Sequence, residues 1–321
     1  MVFDSPEALS VASVLDARRT AGTTAATRDD PHRVALVIEG GGARGAYSGG
    51  MVAALEELGF SSSFDAVFGT SAGALNAAWF LTGRASEAMW TWWDPRVVKR
   101  VVDPSRLLTR GRAFDTAHLV DTVYRSIAPM DFHAIIHNPT SFHPIATALD
   151  DGRAADLNAM LTGPELIRTA LRATCALPLV GGPPVVVGDR EFFDGGLAEP
   201  VPVASARRWG ATHVLVLRTR SAAHAVVRGS RFSQAVEHLV VTGYLAARSP
   251  QSIESWRGRK LRAIELERHM SCGSPAAVQV RPPEGAPLVS TVERRESVLR
   301  RSVEVGREAV RNYFARESVS R

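Results

Sequence analysis

At 321 residues, 45% of them hydrophobic and 22% charged, the chain can bury a full core and has the composition of neither a disordered nor a membrane-embedded protein. Its net charge of +5 favours an anionic partner such as a phospholipid surface without requiring one. No apolar run approaches the ~20 residues of a spanning helix, and residues 1–30 lack a basic region followed by an apolar one, so classical secretion and membrane insertion are not expected. The two cysteines, Cys175 and Cys272, show no metal or redox spacing, so a reduced, cytoplasmic setting is expected.

Residues 1–31 mix Ala, Thr, Ser and charge with weak periodicity and read as a flexible arm, with a short helix over 6–19. Val34-Ala35-Leu36-Val37-Ile38 is a continuous β-branched run that stops at glycines, the pattern of a buried parallel strand. Helical spacing of Tyr47, Met51, Ala54, Leu55 and Leu58 follows over 46–58 and ends at Gly59. A second strand is predicted over 64–68 and a helix over 74–81, joined by a tight turn at 69–73. Strands alternating with helices imply an α/β fold with a mainly parallel central sheet.

From about 84 to 138 the pattern is helical and broken by prolines, which predicts a helical insertion over one end of the sheet. Between Arg84 and Arg112 it holds seven basic and three acidic residues interleaved with Trp90, Trp92 and Trp93, a mixture suited either to a lipid interface or to a cap with tryptophans in the core. Further elements are expected over 141–149 (strand), 164–173 (amphipathic helix) and 211–217 (strand), with a β-rich stretch at 185–187. These complete a catalytic domain of 32–290. Residues 291–321 form a basic amphipathic helix, with Leu299, Val303, Val310 and Phe314 on one stripe, that either packs on the domain or docks on an anionic membrane.

Gly69-Thr70-Ser71-Ala72-Gly73 matches the Gly-x-Ser-x-Gly nucleophile elbow and sits between a predicted strand and a predicted helix, where that motif projects its serine from the sheet edge. Glu39-Gly40-Gly41-Gly42-Ala43-Arg44-Gly45 follows the first strand and opens a helix, so its amides could converge on developing negative charge. Gly40, Gly42 and Gly45 also satisfy Gly-x-Gly-x-x-Gly, the dinucleotide fingerprint. In a dinucleotide fold an acidic residue ends the second strand, whereas Asp65 lies at its start, so acyl transfer is favoured over hydride transfer. Serine needs a base, and Asp194-Gly195-Gly196 offers a carboxylate on a sharply turning backbone. His213, His224, His238 and His269 also follow Asp194, so spacing leaves a histidine triad open. His133, His137 and His143 lack a metal-ligand spacing.

Gly-Gly-Gly-x-Arg-Gly at 40–45, Gly-x-Ser-x-Gly at 69–73 and Asp-Gly-Gly at 194–196, in that order, resemble the patatin-like phospholipase family over roughly residues 33–218, including 173–178 before the last motif. The resemblance implies a three-layer α/β/α sandwich and a Ser-Asp dyad without histidine, with Ser71 as nucleophile and Asp194 as general base. It maps Gly41, Gly42, Ala43, Arg44 and Gly45 onto an oxyanion loop. It implies cleavage of carboxylic ester bonds of phospholipids or other glycerolipids through an acyl-enzyme, with no metal or cofactor. Arg44 reads equally as a structural pairing residue. The expected partners are an acyl-ester lipid and peripherally an anionic membrane, with no nucleic acid. An NAD(P)-binding oxidoreductase using the 40–45 loop and a non-catalytic lipid-binding protein on the same fold are the alternatives.

Overall fold

The computed structural model describes residues 9–109, 111–224, 231–271 and 276–319, with the side chains of 231–239, 269 and 271 outside the description. All five residues of β1 (Val34–Ile38) are buried, because the strand lies mid-sheet between two parallel neighbours. These neighbours are β2 (Ala66–Thr70) and β7 (His213–Leu217). The sheet continues from β2 to β3 (Ser141–Ala148) and from β7 to β8 (Ala277–Val280), both parallel. Beyond β3 it turns antiparallel, through β4 (Ala154–Asp156), β5 (Val185–Val187) and β6 (Arg190–Asp194), giving the order β5-β6-β3-β2-β1-β7-β8 with β4 on β3.

Strand alternation sends successive side chains to opposite faces, and both faces of this sheet are covered. Val34, Leu36 and Ile38 join the larger core beneath α1 (Val11–Ala21), α2 (Gly45–Glu57), α3 (Ala72–Leu81) and the C-terminal helix Glu296–Val319. Ala35 and Val37 join a second core beneath the helices Val203–Trp209 and Ser252–Ser271. The result is the expected three-layer α/β/α architecture. No helix among the described residues is long and apolar enough to cross a membrane.

The expected flexible arm is corrected from Val11 onward, where the chain is docked (residues 1–8 lie outside the described residues). Val11, Ala12, Val14 and Leu15 are buried, and Ser10 caps α1 by accepting from Ser13 N at 3.1 Å. Arg18, buried to 3% exposure, bonds Asp30 at 2.7 Å and Asp65 at 2.9 Å, which pins the helix beside the start of β2. A buried arginine reads as surface in composition, so the anchor was hidden among polar residues.

The C-terminal helix packs on the domain, as the blander expectation had it. Leu299, Val303, Val310 and Phe314 are buried, and the helix meets α2 at two glycines. A Cβ on Gly50 would run into the Val303 carbonyl, and one on Gly306 into that of Tyr47, so the two backbones touch. Trp90, Trp92 and Trp93 likewise pack against the core. Trp92 Nε1 donates to Asn76 Oδ1 at 2.9 Å, which locks its ring over Gly45 and Gly49.

Candidate active site

β2 begins two residues later than its apolar run suggests, at Ala66, and so extends through Gly69 and Thr70. Ser71 therefore stands at the carboxyl edge of the sheet between β2 and α3, with φ 53° and ψ −126°. A positive φ is costly for a residue with a Cβ and persists only when the surroundings impose it. Here they do: Gly69 approaches the Ala74 backbone so closely that its Cβ would lie 2.6 Å from Ala74 N, and a Cβ on Gly73 would drive into the Ile38 carbonyl. Gly73→Ala should accordingly lower unfolding free energy by about 1–3 kcal/mol, read by denaturant titration, since backbone rather than a movable side chain must yield. Ser71 N donates to Thr174 Oγ1 at 2.8 Å, and Thr174 donates onward to the Ile145 carbonyl.

β3 brings the carboxylate to the serine. Thr70 pairs with Ile145 and Asp194 with Ala146, the next residue, so the ends of β2 and β6 meet on one strand. Asp194 is held by its own backbone, its N–H on Ala176 O at 2.9 Å and its carbonyl accepting from Thr147 Oγ1 at 2.8 Å. Oδ1 accepts from Gly196 N at 2.7 Å, while Oδ2 is buried with no hydrogen bond. Burial pushes the Asp194 pKa up to about 6, against the adjacent Ser71 hydroxyl and the Gly196 amide, which pull it down. Such a group is a carboxylate at neutral pH with a basicity suited to accepting a hydroxyl proton. Cys175, unremarked in the sequence as a site residue, is buried against Ser71, and burial raises its pKa well above the ordinary thiol range, so it presents a neutral thiol.

The glycine loop lies across the same edge. Gly40 N is bonded to Pro200 O at 3.0 Å, Ala43 N to Thr291 O at 2.9 Å and Arg44 N to Gly41 O at 3.3 Å, while Gly45 N turns back on Gly42 O and Ala43 O. Among the described residues Gly41 N and Gly42 N carry no such bond, which leaves these two of the five expected positions able to donate to a ligand. The base of the loop is clamped by Glu39, whose carboxylate takes Arg218 Nε at 3.0 Å and Thr219 N at 2.7 Å. Arg44 folds back over Gly41: a Cβ on that glycine would lie 3.2 Å from Arg44 Nε. Burial and the nearby Arg220 lower the Arg44 pKa to about 10, with Glu39 opposing.

Ser71 opens onto a cavity of about 80 Å³ walled by Leu75, Val98, Val101, Phe114 and Tyr124. Much of that wall comes from the helical stretch between Ala85 and His137, including Leu119–Ile127, which winds as a π-helix. None of the described histidine side chains bonds Ser71 or Asp194. His213 begins β7, at the opposite edge of the sheet, and is engaged by Leu9 O and Thr212. His224 bonds Ser221, and His143 bonds Ser141 and Asp156 while stacking on Phe68. The side chains of His238 and His269, and all of Cys272, lie outside the described residues. No group of His, Cys, Asp and Glu suited to a metal occurs among the described residues.

Nor does the geometry favour the dinucleotide alternative. Asp65 is taken up by Arg18, Arg28 and the Val34 amide at the start of β2, away from the glycine loop.

The chain is 31% identical over 191 residues to the uncharacterized protein YjjU of Escherichia coli, covering 59% of this chain and 52% of that protein. It is 32% identical over 174 residues to the uncharacterized NTE family protein Rv1063c of Mycobacterium tuberculosis, covering 54% and 45%. The chain thus spans about half the length of the curated relatives it matches. Solved structures with weak likeness include VipD from Legionella pneumophila, at a TM-score of 0.38 and 12% identity over 88% of this chain and 67% of that one. The type III effector protein ExoU reaches a TM-score of 0.34 and 15% identity over 90% and 54%. The patatin-like phospholipase family model matches residues 36–207, from β1 to the Val203–Trp209 helix, and therefore more than half of the chain. The chain belongs to the patatin-like phospholipase family.

Proposed function

We propose that the protein is a serine lipid-acyl hydrolase that cleaves carboxylic ester bonds of phospholipids or other glycerolipids through an acyl-enzyme on Ser71, with Asp194 as general base. The observation that carries this reading is the buried Asp194 carboxylate, its Oδ2 without a hydrogen bond, beside a serine held at positive φ. As Ser71 Oγ attacks the ester carbonyl carbon, its proton passes to Asp194 Oδ2. The carbonyl oxygen becomes an oxyanion that Gly41 N and Gly42 N are free to hold. Collapse expels the alcohol, which takes the proton from Asp194 and leaves an acyl-Ser71 ester. Water then repeats the sequence, giving its proton to Asp194 and releasing the fatty acid with Ser71 regenerated. Arg44 acts in this scheme by bracing Gly41, Thr70 and Ala72 as the flanks of the elbow, and Gly195 by letting the Asp194 turn approach Thr70.

The test is incubation of the purified chain with a fluorophosphonate probe and a p-nitrophenyl ester series. Labelling at Ser71 with turnover is the expected result, and a chain neither labelled nor active would move the non-catalytic lipid-binding reading ahead. The apolar cavity is read as the acyl site. Val101→Phe adds an aromatic ring to that cavity and should cut turnover of long-chain relative to butyryl ester by about ten-fold or more, since a close-packed site has no slack for the extra atoms. An unchanged chain-length profile would remove the cavity from the acyl path. The setting we propose is cytoplasmic, in keeping with a free Cys175.

A further inference from the structure

Between Val102 and Phe114 the chain leaves the wall of the acyl cavity and returns to it. Both residues line the cavity and bridge each other antiparallel, and Asp103 N donates to Ala113 O at 2.8 Å just beyond. The excursion between them carries Leu107 at 44% exposure and Leu108 at 89%. An exposed leucine is ordinary by itself, but two in sequence put apolar surface on a loop whose two ends, Val102 and Phe114, line the cavity.

A strap that precedes the C-terminal helix faces this loop. Thr291 O holds the Ala43 amide, Glu293 lines the cavity, and Val292 is 37% exposed. Arg294 reaches Asp103 at 3.6 Å, which ties strap to loop. Beside the strap opens a cleft of about 990 Å³ lined by Lys99, Arg294, Arg295, Arg300 and Arg301 against Glu293, Glu296 and Glu304, with Arg295 on Glu293 at 2.7 Å, Arg301 on Glu304 at 3.4 Å and Glu308 at 3.2 Å, and Arg300 on Glu304 at 3.8 Å. Apolar side chains at a cavity rim beside an excess of positive charge are the elements of interfacial binding to anionic lipid. The apolar stripe of the C-terminal helix does not supply that contact, because it is buried in the core, whereas Trp90, Trp92 and Trp93 are partly buried against it.

We infer that the Leu107–Leu108 tip and the basic strap facing it form the surface that docks on an anionic phospholipid bilayer, with an acyl chain passing between loop and strap into the cavity. This rests on the lipid-hydrolase reading for its purpose but not for its test. The full chain would be sedimented with vesicles of phosphatidylglycerol and phosphatidylcholine, and with phosphatidylcholine alone, at low and high salt. Wild type should bind the anionic vesicles and release them as salt rises. Leu107→Glu/Leu108→Glu should bind at least about ten-fold more weakly. Its melting temperature should stay within about 2 °C of wild type and its p-nitrophenyl butyrate turnover within about two-fold, as for other surface changes. Leu108→Ser, at a side chain mostly in solvent, should weaken binding in the same direction. Wild type that ignores anionic vesicles, or leucine variants that bind as wild type does, would overturn the inference. Vesicle binding without any ester turnover would leave the docking surface standing and remove the hydrolase reading instead.

Discussion

Ser71→Ala is expected to abolish fluorophosphonate labelling and to lower p-nitrophenyl ester turnover by about 10³–10⁶-fold, the range seen when a serine hydrolase loses its nucleophile. The fold should survive, because what holds the elbow is backbone. Ser71 N would still donate to Thr174, and Gly69 and Gly73 would still admit the close passage of α3 and β1. Stability should therefore stay within about 1 kcal/mol of wild type by thermal or denaturant melting. A second consequence separates loss of the hydroxyl from general damage. The Ser71 hydroxyl helps hold the Asp194 pKa down against burial, so without it Asp194 should titrate higher than about 6. Hydrolysis that persists in the variant, with contaminating esterase excluded by probe labelling, would end the nucleophile assignment.

How much of this was readable from the chain depended on whether the physical cause was local. β1 was legible to the residue, since five consecutive apolar residues buried on both faces leave one interpretation, and the elbow was legible because its glycines answer a local steric demand. β2 was misplaced by two residues because Phe64 looks like strand but turns into the core ahead of it. What a residue meets through long-range contact was not readable from spacing. Thr174 meets Ser71 across 103 positions, and the Thr291 carbonyl reaches Ala43 from a segment beyond the family match. The stripe of the C-terminal helix was plain, but its destination was not, because that was decided by Gly50 and Gly306 fitting against carbonyls on the opposite helix. Spacing could not separate Asp194 from the histidines that follow it. The sheet register sets His213 at the far edge and Asp194 at the near one, and His224 is engaged by Ser221.

Asp194→Asn should lower turnover by about 10²–10⁴-fold, as expected when a general base is removed, and should at the same time stabilise the protein at neutral pH. The pKa argument fixes both signs. Burial raises Asp194 from its ordinary 3.8 to about 6, so in the wild type the fraction able to accept the Ser71 proton climbs through that value. Values of kcat/KM should therefore rise about ten-fold per pH unit below 6 and level off above it. Stability moves the other way. Between pH 3.8 and about 6 the unfolded chain has released this proton while the folded chain still holds it, so unfolding becomes easier as pH rises across that window. Above it the cost of a buried charge is constant, on the order of 2–3 kcal/mol. Asparagine carries no charge, so the variant should melt several degrees above wild type at pH 7 and converge with it near pH 4. A variant that is inactive but no more stable at pH 7 would mean that the carboxylate is not the buried, strained charge described here. A wild-type profile without an inflection near 6 would move the base to another residue.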